Sequence, residues 1–554
     1  MQGDKITKDF WFYQKQRKTM QIKYFFLSIV LLGFCGCMTN NNNAKDNQVF
    51  RYNEYANISS LDPAYARNNA TIWATNQLFN GLVQLDDSLN IKPDIAKKWH
   101  YNDSTHIYTF ILRDDVFFHK HALFGKDSTR RVIAQDVTYS LNRLKDPKVA
   151  SPGSWVLQQV DHFYAENDTI FKLKLKQPFP AFLGLLAMRY CSIVPEEIVT
   201  HYGNEFRSNP IGTGPFYFKL WEENVKLVFR KNHRYFETDD NGEALPYLEA
   251  VAVTFLPDKQ SEFLQFVQGN IDFISGLDAS YKDELLTSDG QLKNTYQETV
   301  NMIKSPYLNT EFIALQTQSD NIALQSPLIR KAINYGFDRK KMIAYLRNGI
   351  GIAATNGIIP KGMPGFDFIK GYDYQPEKAR QLVEQYKAET GTQNVQLTLT
   401  TDSNYTDMYE YLQRELEKIG LSVSVDVVPS SSIRQARANG SLPAFRSSWI
   451  ADYPDAQNYL SLFYSKNVTP NGPNYTFYKN ELYDQWYKDS FTISDIEKRI
   501  GLYAKMDSLM ITDAPIVPMY YDEVVRFVQK NVTGLGSNPQ NNLVLKRVKK
   551  QPKN

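Results

Sequence analysis

The sequence predicts a mixed α/β fold, and three observations carry that prediction. First, residues 395–427 read as strand, helix and strand. Val395-Gln396-Leu397-Thr398-Leu399-Thr400 alternates apolar and polar, as a half-buried strand does. Tyr409, Leu412, Leu416 and Ile419 then mark one helical face, closed by Gly420, before Leu421-Ser422-Val423-Ser424-Val425-Asp426-Val427 alternates again. Two strands joined by one crossover helix are expected to be parallel, with a right-handed connection. Second, two helix starts are legible. Ser326-Pro327 places a hydroxyl cap before a proline, and Ile329, Ala332, Ile333 and Gly336 continue the helix; Gln375-Pro376-Glu377 opens another through Ala379, Leu382 and Val383. Third, residues 107–112 and 171–175 alternate like strands, and residues 134–144 between them have helical apolar spacing.

A further strand is expected at Ala444-Phe445-Arg446-Ser447-Ser448-Trp449, after a short helix near residues 433–439. It runs into Ile450-Ala451-Asp452-Tyr453-Pro454-Asp455. In open α/β sheets ligands bind beyond the carboxyl ends of the strands, which puts Asp452 where ligand chemistry is expected. The same four residues, Asp452 to Asp455, also read as a plain turn.

With 554 residues, 42% of hydrophobic type, the chain can bury a large core and is too long for one ordinary domain. Its 63 basic and 60 acidic residues leave a net charge of +3, so no global field favours nucleic acid. Near the N-terminus, Lys23 precedes an apolar run from Tyr24 to Phe34 that is too short to span a bilayer, the pattern of a secretory signal. Met20 is the expected start. The run ends at Phe34-Cys35-Gly36-Cys37, which resembles the lipobox of bacterial lipoproteins. Phe34 and Cys35 depart from the usual residue types there. The resemblance implies a signal over 1–36, lipidation at Cys37 and a polar tether over 37–47. Of the three cysteines, Cys191 is then left alone in an apolar stretch, where it reads as a buried small hydrophobe.

Enzyme signatures fail. There is no Gly-x-Ser-x-Gly elbow and no His-Glu-x-x-His pair. Gly349-Ile350-Gly351 follows a helical stretch rather than a strand, the wrong context for a dinucleotide loop. His119 and His121 are spaced to share a face of a strand, but without further ligands they read as ordinary surface residues. No cofactor and no metal are expected, and a binding module is the first hypothesis.

Several segments in a fixed order resemble the oligopeptide- and dipeptide-binding proteins of bacterial ABC importers, the family 5 extracellular solute-binding proteins. They are Leu61-Asp62-Pro63-Ala64, Gln77-Leu78-Phe79-Asn80-Gly81-Leu82-Val83, Pro93-Asp94-Ile95-Ala96-Lys97-Lys98-Trp99, Tyr108-Thr109-Phe110-Ile111-Leu112-Arg113 with Phe118-His119 a little later, and Ala134-Gln135-Asp136-Val137. Ile211-Gly212-Thr213-Gly214-Pro215-Phe216 is the most distinctive. Gly269-Asn270-Ile271-Asp272, residues 326–333 and Trp449-Ile450-Ala451-Asp452-Tyr453-Pro454-Asp455 complete the set. The resemblance implies a periplasmic-binding-protein type II-like α/β fold, with two lobes around a ligand cleft and an extra inserted domain. Lobe I would comprise 48–84, 207–306 and 515–554, the inserted domain 85–206 and lobe II 307–514. It further implies an exported, lipid-anchored monomer, without catalysis, that closes on short peptides and delivers them to ABC importer permease subunits. A nickel chelate, haem, a sugar or glutathione would be the other ligands of such a fold, and a lipoprotein peptidase is the enzyme alternative. At the matched positions, Asp452 would hold the peptide's α-ammonium and Arg446 would meet a ligand carboxylate. Trp449 and Ile450 would form one cleft wall, and Arg67 and Asn68, of unusual type for the family, the opposite wall. Tyr307, Asn309, Tyr520 and Tyr521 fall near the strand crossings, as ligand contacts or as packing between the lobes.

Overall fold

The structure, a computed structural model, describes residues 48–278 and 280–552. The signal segment, Cys37 and the tether lie outside the described residues.

One large sheet runs through both halves of the molecule. Its order is Leu421–Val427, Val395–Thr401, Ala444–Ile450, Val300–Leu315, Ile516–Gln529, Phe273–Ser275, Val49–Asn53, Ala250–Thr254, Lys226–Lys231 and Phe216–Glu222. The strands at 395 and 421 are parallel, with Val395 opposite Leu421, and the crossover helix is Thr406–Glu417. Gly420 stands between that helix and the second strand with φ +91°, a conformation glycine adopts without a Cβ penalty. The two expected helix starts are present. Pro327–Tyr335 is capped by the Ser326 side chain, which accepts from the Leu328 N–H, and Pro376–Thr390 begins on its proline.

Two long antiparallel strands, Val300–Leu315 and Ile516–Gln529, join the halves. In their outer part, Ile313 and Leu315 enter the apolar cluster on one face, and Phe312 and Ala314 enter the cluster on the other. A strand covered on both faces has no polar side to display, so it shows no alternation. The edge strand Leu421–Val427 begins with one face buried and one exposed, which is why its period is plain in the sequence. Between Pro306, opposite Glu523, and Thr310, opposite Tyr521, the ladder breaks. Tyr307, Leu308 and Asn309 there face Asp522 alone, a bulge that bends and twists the pair.

A second, antiparallel sheet has the order Ala96–Asn102, Ile107–Leu112, Ile170–Leu175, Val160–Asn167. Phe110, Leu112, Phe171 and Leu173 point inward and pack on Val137, Leu141 and Leu144 of the helix Ala134–Lys145.

The shared sequence segments serve this framework. Asp62 caps the turn Pro63–Tyr65 and pairs with Arg143 at 2.6 Å, tying that turn to the helix Ala134–Lys145. Asp272 is buried, bonded to the Arg51 N–H and to Lys550, each at 2.8 Å. The backbone of Gly212 and Gly214 presses on the end of the helix Asn69–Leu78, where the Gly214 N–H donates to the Leu78 carbonyl at 2.9 Å. His119 clamps the same segment. Its Nδ1 accepts from the Gly212 N–H at 3.3 Å and its Nε2 faces the Gly214 carbonyl at 3.0 Å. This pattern requires the neutral ring, and burial lowers its pKa to about 4. His119 and His121 therefore do not share a strand face; His119 is buried and His121 pairs with the Tyr202 hydroxyl. Cys191 is buried without a disulfide, and its thiol is pushed up to about 12 by burial.

Candidate ligand-binding site

Asp452 follows the carboxyl end of the strand Ala444–Ile450, and its loop is held on every side. The Trp449 indole N–H donates to Asn458 Oδ1 at 2.7 Å. That oxygen also accepts from the Asp452 N–H at 3.2 Å, and the Asn458 amide donates to the Asp452 carboxylate at 3.3 Å. Tyr453 is 5% exposed and belongs to the apolar cluster of the second sheet. Its hydroxyl donates to Gln457, which in turn donates to Tyr487. Asp455 pairs with Arg499 at 3.3 Å. The carboxylate of Asp452 is thus placed by its neighbours rather than by its own side-chain freedom.

Asp452 is exposed to solvent at the rim of a recess of about 710 Å³. Trp449, Asn458 and Tyr464 line one side, and Trp155, Gln159 and Phe179 the other. Surrounding protein raises the carboxyl pKa above its ordinary value, and the Asn458 amide pulls it back. Among the described residues, no cation lies within ion-pair distance of Asp452. A carboxylate at the rim of a recess, with no counter-charge among the described residues, suits an ammonium-bearing ligand, whose charge would offset the desolvation that its binding brings.

The other expected residues divide. Trp449 is half-buried against the neighbouring core, and Ile450 is 47% exposed, so an apolar side chain stands open beside Asp452. Tyr307, in the bulge, reaches toward Asn69 at the start of the helix Asn69–Leu78, and burial pushes its hydroxyl up to about 12. Asn309 is buried, with its amide 3.4 Å from Asp522 and its carbonyl oxygen without a partner among the described residues. Arg67 is exposed. Asn68 caps the helix Asn69–Leu78 by accepting from the Thr71 N–H at 3.0 Å, and both residues line a different recess, of about 950 Å³.

Arg446 is already engaged. Its Nε lies 2.6 Å from the fully buried Glu311, Nη2 donates to the Tyr405 hydroxyl at 2.7 Å, and the guanidinium stacks 4.0 Å from that ring. Burial raises the Glu311 carboxyl pKa, and Arg446 opposes that rise. Tyr520 and Tyr521 are 0% and 1% exposed. Tyr520 accepts from Arg347 at 3.0 Å and Tyr521 donates to the Gly357 carbonyl at 2.8 Å, so both serve packing and hydrogen bonding inside the protein rather than the cleft surface. Two residues that matter here carried no sequence signal. Asn458 positions Asp452 from six residues away, and Glu311 meets Arg446 only through the register that sets Ile313 opposite Arg446 and Glu311 opposite Ser448. Among the described residues no group of three His, Cys, Asp or Glu could hold a metal ion, and no helix is long and apolar enough to cross a membrane.

Two halves joined by crossing strands, with a recess at a strand end, fit a two-lobed solute-binding protein. Residues 90–471 match the model of the bacterial extracellular solute-binding proteins, family 5 Middle, and the chain belongs to that family. Its members are binding components of ABC importers rather than enzymes. Among curated relatives, the glutathione-binding protein GsiB of Shigella dysenteriae serotype 1 (strain Sd197) is 23% identical over 491 residues, covering 87% of this chain and 91% of the relative. Among solved structures, the periplasmic binding protein DppA from Helicobacter pylori, in complex with the peptide STSA, superimposes with a TM-score of 0.74 at 25% identity, covering 92% of this chain and 100% of that one. HbpA2 from Haemophilus parasuis gives a TM-score of 0.78 at 22% identity, covering 91% and 100%.

Proposed function

We propose that this chain captures short peptides in the cleft between its lobes, with the peptide's α-ammonium on Asp452, and passes them to the permease of an ABC importer. The single observation that supports this most is Asp452 itself. It is a carboxylate that accepts from the Asn458 amide, which the Trp449 indole holds in turn; it is open to a recess and, among the described residues, has no cation within ion-pair distance. Trp449 and Ile450 supply an adjoining wall. Backbone groups along the cleft would hold the rest of the peptide as an added strand, independent of its sequence. The peptide-bound relative DppA agrees with this reading. Glutathione is the second reading, favoured by the name of the relative GsiB, and it too bears an ammonium.

In the same reading, the protein is exported and held to a membrane by an acyl chain on Cys37. Native mass spectrometry of protein extracted from its own host's membranes addresses ligand and anchor together. The expected spectrum contains a mature chain beginning at Cys37 with acyl mass, carrying a peptide. A chain that retains residues 20–36 without acyl mass would overturn the anchor, and a non-peptide cargo would overturn the peptide.

The proposed division places lobe I in 48–84, 207–306 and 515–554, the inserted domain in 85–206 and lobe II in 307–514. The lobes would then pivot at the broken register around Tyr307 and Asp522. Small-angle scattering of protein stripped of ligand by unfolding and refolding should show a larger radius of gyration than the same protein saturated with peptide. Identical curves at demonstrated saturation would remove the pivot.

A further inference from the structure

The proposed inserted domain is joined to lobe I and to lobe II in different ways. Toward lobe I its contacts are polar. Arg143 pairs with Asp62 at 2.6 Å, the Tyr65 hydroxyl donates to the Val149 carbonyl at 2.6 Å, and the Ile193 N–H donates to the Asn80 carbonyl at 2.9 Å. The His119 clamp on Gly212 and Gly214 adds to these. Toward lobe II its contacts are apolar. Tyr453 buries its ring in the apolar cluster of the second sheet. The Phe179 ring meets it edge-on, with centroids 6.3 Å apart, and meets the Phe491 ring at 5.4 Å. Phe491 packs against the clusters of both bodies, and Leu89 rests on that of lobe II. A Cβ on Gly184, in the helix Phe182–Leu186, would lie 3.1 Å from Pro454 Cδ and 3.5 Å from Tyr453 Cβ, so that helix lies directly under the loop. Among the described residues, no hydrogen bond or ion pair joins residues 85–206 to residues 307–514.

This difference says which contact can part. Separating hydrogen-bonded surfaces breaks pairs whose groups must each find a new partner, whereas rings that touch without hydrogen bonds separate without stranding a polar group. Their attraction is modest and short-ranged, so a bound ligand can tip the balance between open and closed. The recess beside Asp452 takes Trp155, Gln159 and Phe179 from one body and Trp449, Asn458 and Tyr464 from the other, so it is whole only while the rings meet. Tyr453 follows Asp452 directly in the chain, and a ligand that fixes Asp452 also fixes the residue that docks.

We propose that Phe179, Tyr453 and Phe491 form an apolar latch that closes the recess when a peptide sits on Asp452 and sets how slowly the peptide leaves. Affinity then scales with the fraction of protein that is latched. The proposal rests on the reading of Asp452 as the ammonium site and on the division into lobes given above.

The test uses trialanine as probe and has two arms. In stopped-flow kinetics, Phe491→Ala should speed release about tenfold, the scale of one aromatic contact and the area it covers, and leave association within about twofold, since the rings meet only after the ligand has entered. Phe491→Leu should recover part of the loss. Phe179→Ala should act like Phe491→Ala, and the double variant should release little faster than the faster single, because both truncate one contact. Phe491 is half-buried at the edge of both clusters, so Phe491→Ala carries this arm alone if Phe179→Ala does not fold. Rings that only touched the peptide would give similar rates, so the second arm reads the contact itself. Gly184→Cys combined with Tyr453→Cys places two thiols at disulfide spacing in the latched form. Cys191 does not compete, being buried with its thiol pushed up to about 12. Trialanine should speed disulfide formation by diamide about tenfold or more. Release from Phe491→Ala at the wild-type rate, or no acceleration of the disulfide by trialanine, would overturn the latch. If wild type binds trialanine, Asp452→Ala loses it and either of those results is found, the latch falls and the ammonium site stands. If wild type does not bind trialanine, or Asp452→Ala binds it as wild type does, both fall.

Discussion

Asp452→Ala is expected to weaken binding of a free-amino peptide by roughly 30-fold to several-thousand-fold, the equivalent of about 2–5 kcal/mol for truncating one partner of a desolvated charge pair. The loop should survive the substitution, because Trp449 and Asn458 remain bonded to each other and Tyr453 and Asp455 keep their own anchors. An N-acetylated peptide should lose comparably against wild type, since acetylation removes the same charge. The two losses should not add, because each deletes the one interaction. Acidification provides a third view. A cationic ligand selects the ionised carboxylate, so affinity falls as pH drops through the free protein's Asp452 pKa. The surrounding protein has raised that value, and the loss therefore sets in at a higher pH than for an unperturbed aspartate. Calorimetry on the four combinations of protein and peptide, at neutral and at acid pH, reads all three. Equal affinity of wild type for free and acetylated peptides would show that the amine is not what Asp452 meets.

The second large effect is on stability. A Cβ on Gly214 would lie 2.4 Å from the Leu78 carbonyl carbon and 2.5 Å from the Gln77 oxygen. Both are backbone atoms at the end of the helix Asn69–Leu78, so no side-chain rotation relieves the clash. Relief requires moving the segment, and with it the Leu78 bond, the Asn232 amide bond at 2.9 Å and the His119 clamp. Gly214→Ala should therefore destabilise the protein by about 3 kcal/mol or more, the upper range for overpacking a close contact. Gly501 is the control. It lies in the helix Ile496–Asp513 with nothing within 4 Å of the added Cβ, so Gly501→Ala should stabilise by up to about 1 kcal/mol. Urea denaturation midpoints compare them; a Gly214→Ala variant within about 1 kcal/mol of wild type would mean that the segment yields far more readily than its packing implies.

These two residues mark different kinds of legibility. Gly214 lies in the most distinctive segment of the sequence, yet its role is architectural, and only the contact with Leu78 reveals that. Asp452 was legible because strand ends in open sheets are where ligands gather, and the alternation of residues 395–400 and 421–427 located the sheet. What the sequence left open was whether Asp452 was a plain turn residue. The structure adds an Asn458 amide and a recess, and among the described residues no counter-ion; none of these has a local pattern, and all of them support the ligand reading over the turn reading.

By itself, the sequence determined what depends on neighbours along the chain. The Ser326 cap, the proline-led helices, the Gly420 stop and the half-exposed strands follow from hydrogen-bond geometry, φ preference and one-sided burial, all written within a few residues. Tertiary structure alone decided what depends on register and on burial from both sides. Ile516–Gln529 is buried almost throughout and shows no clean period, and it encloses Tyr520 and Tyr521. Arg446 faces Glu311 rather than an open cleft because one strand pairing brings together residues 135 positions apart. Charges distant in sequence acquire their partners, or are left without them, only when the chain closes on itself, since pairing and desolvation both depend on distances that local sequence does not encode.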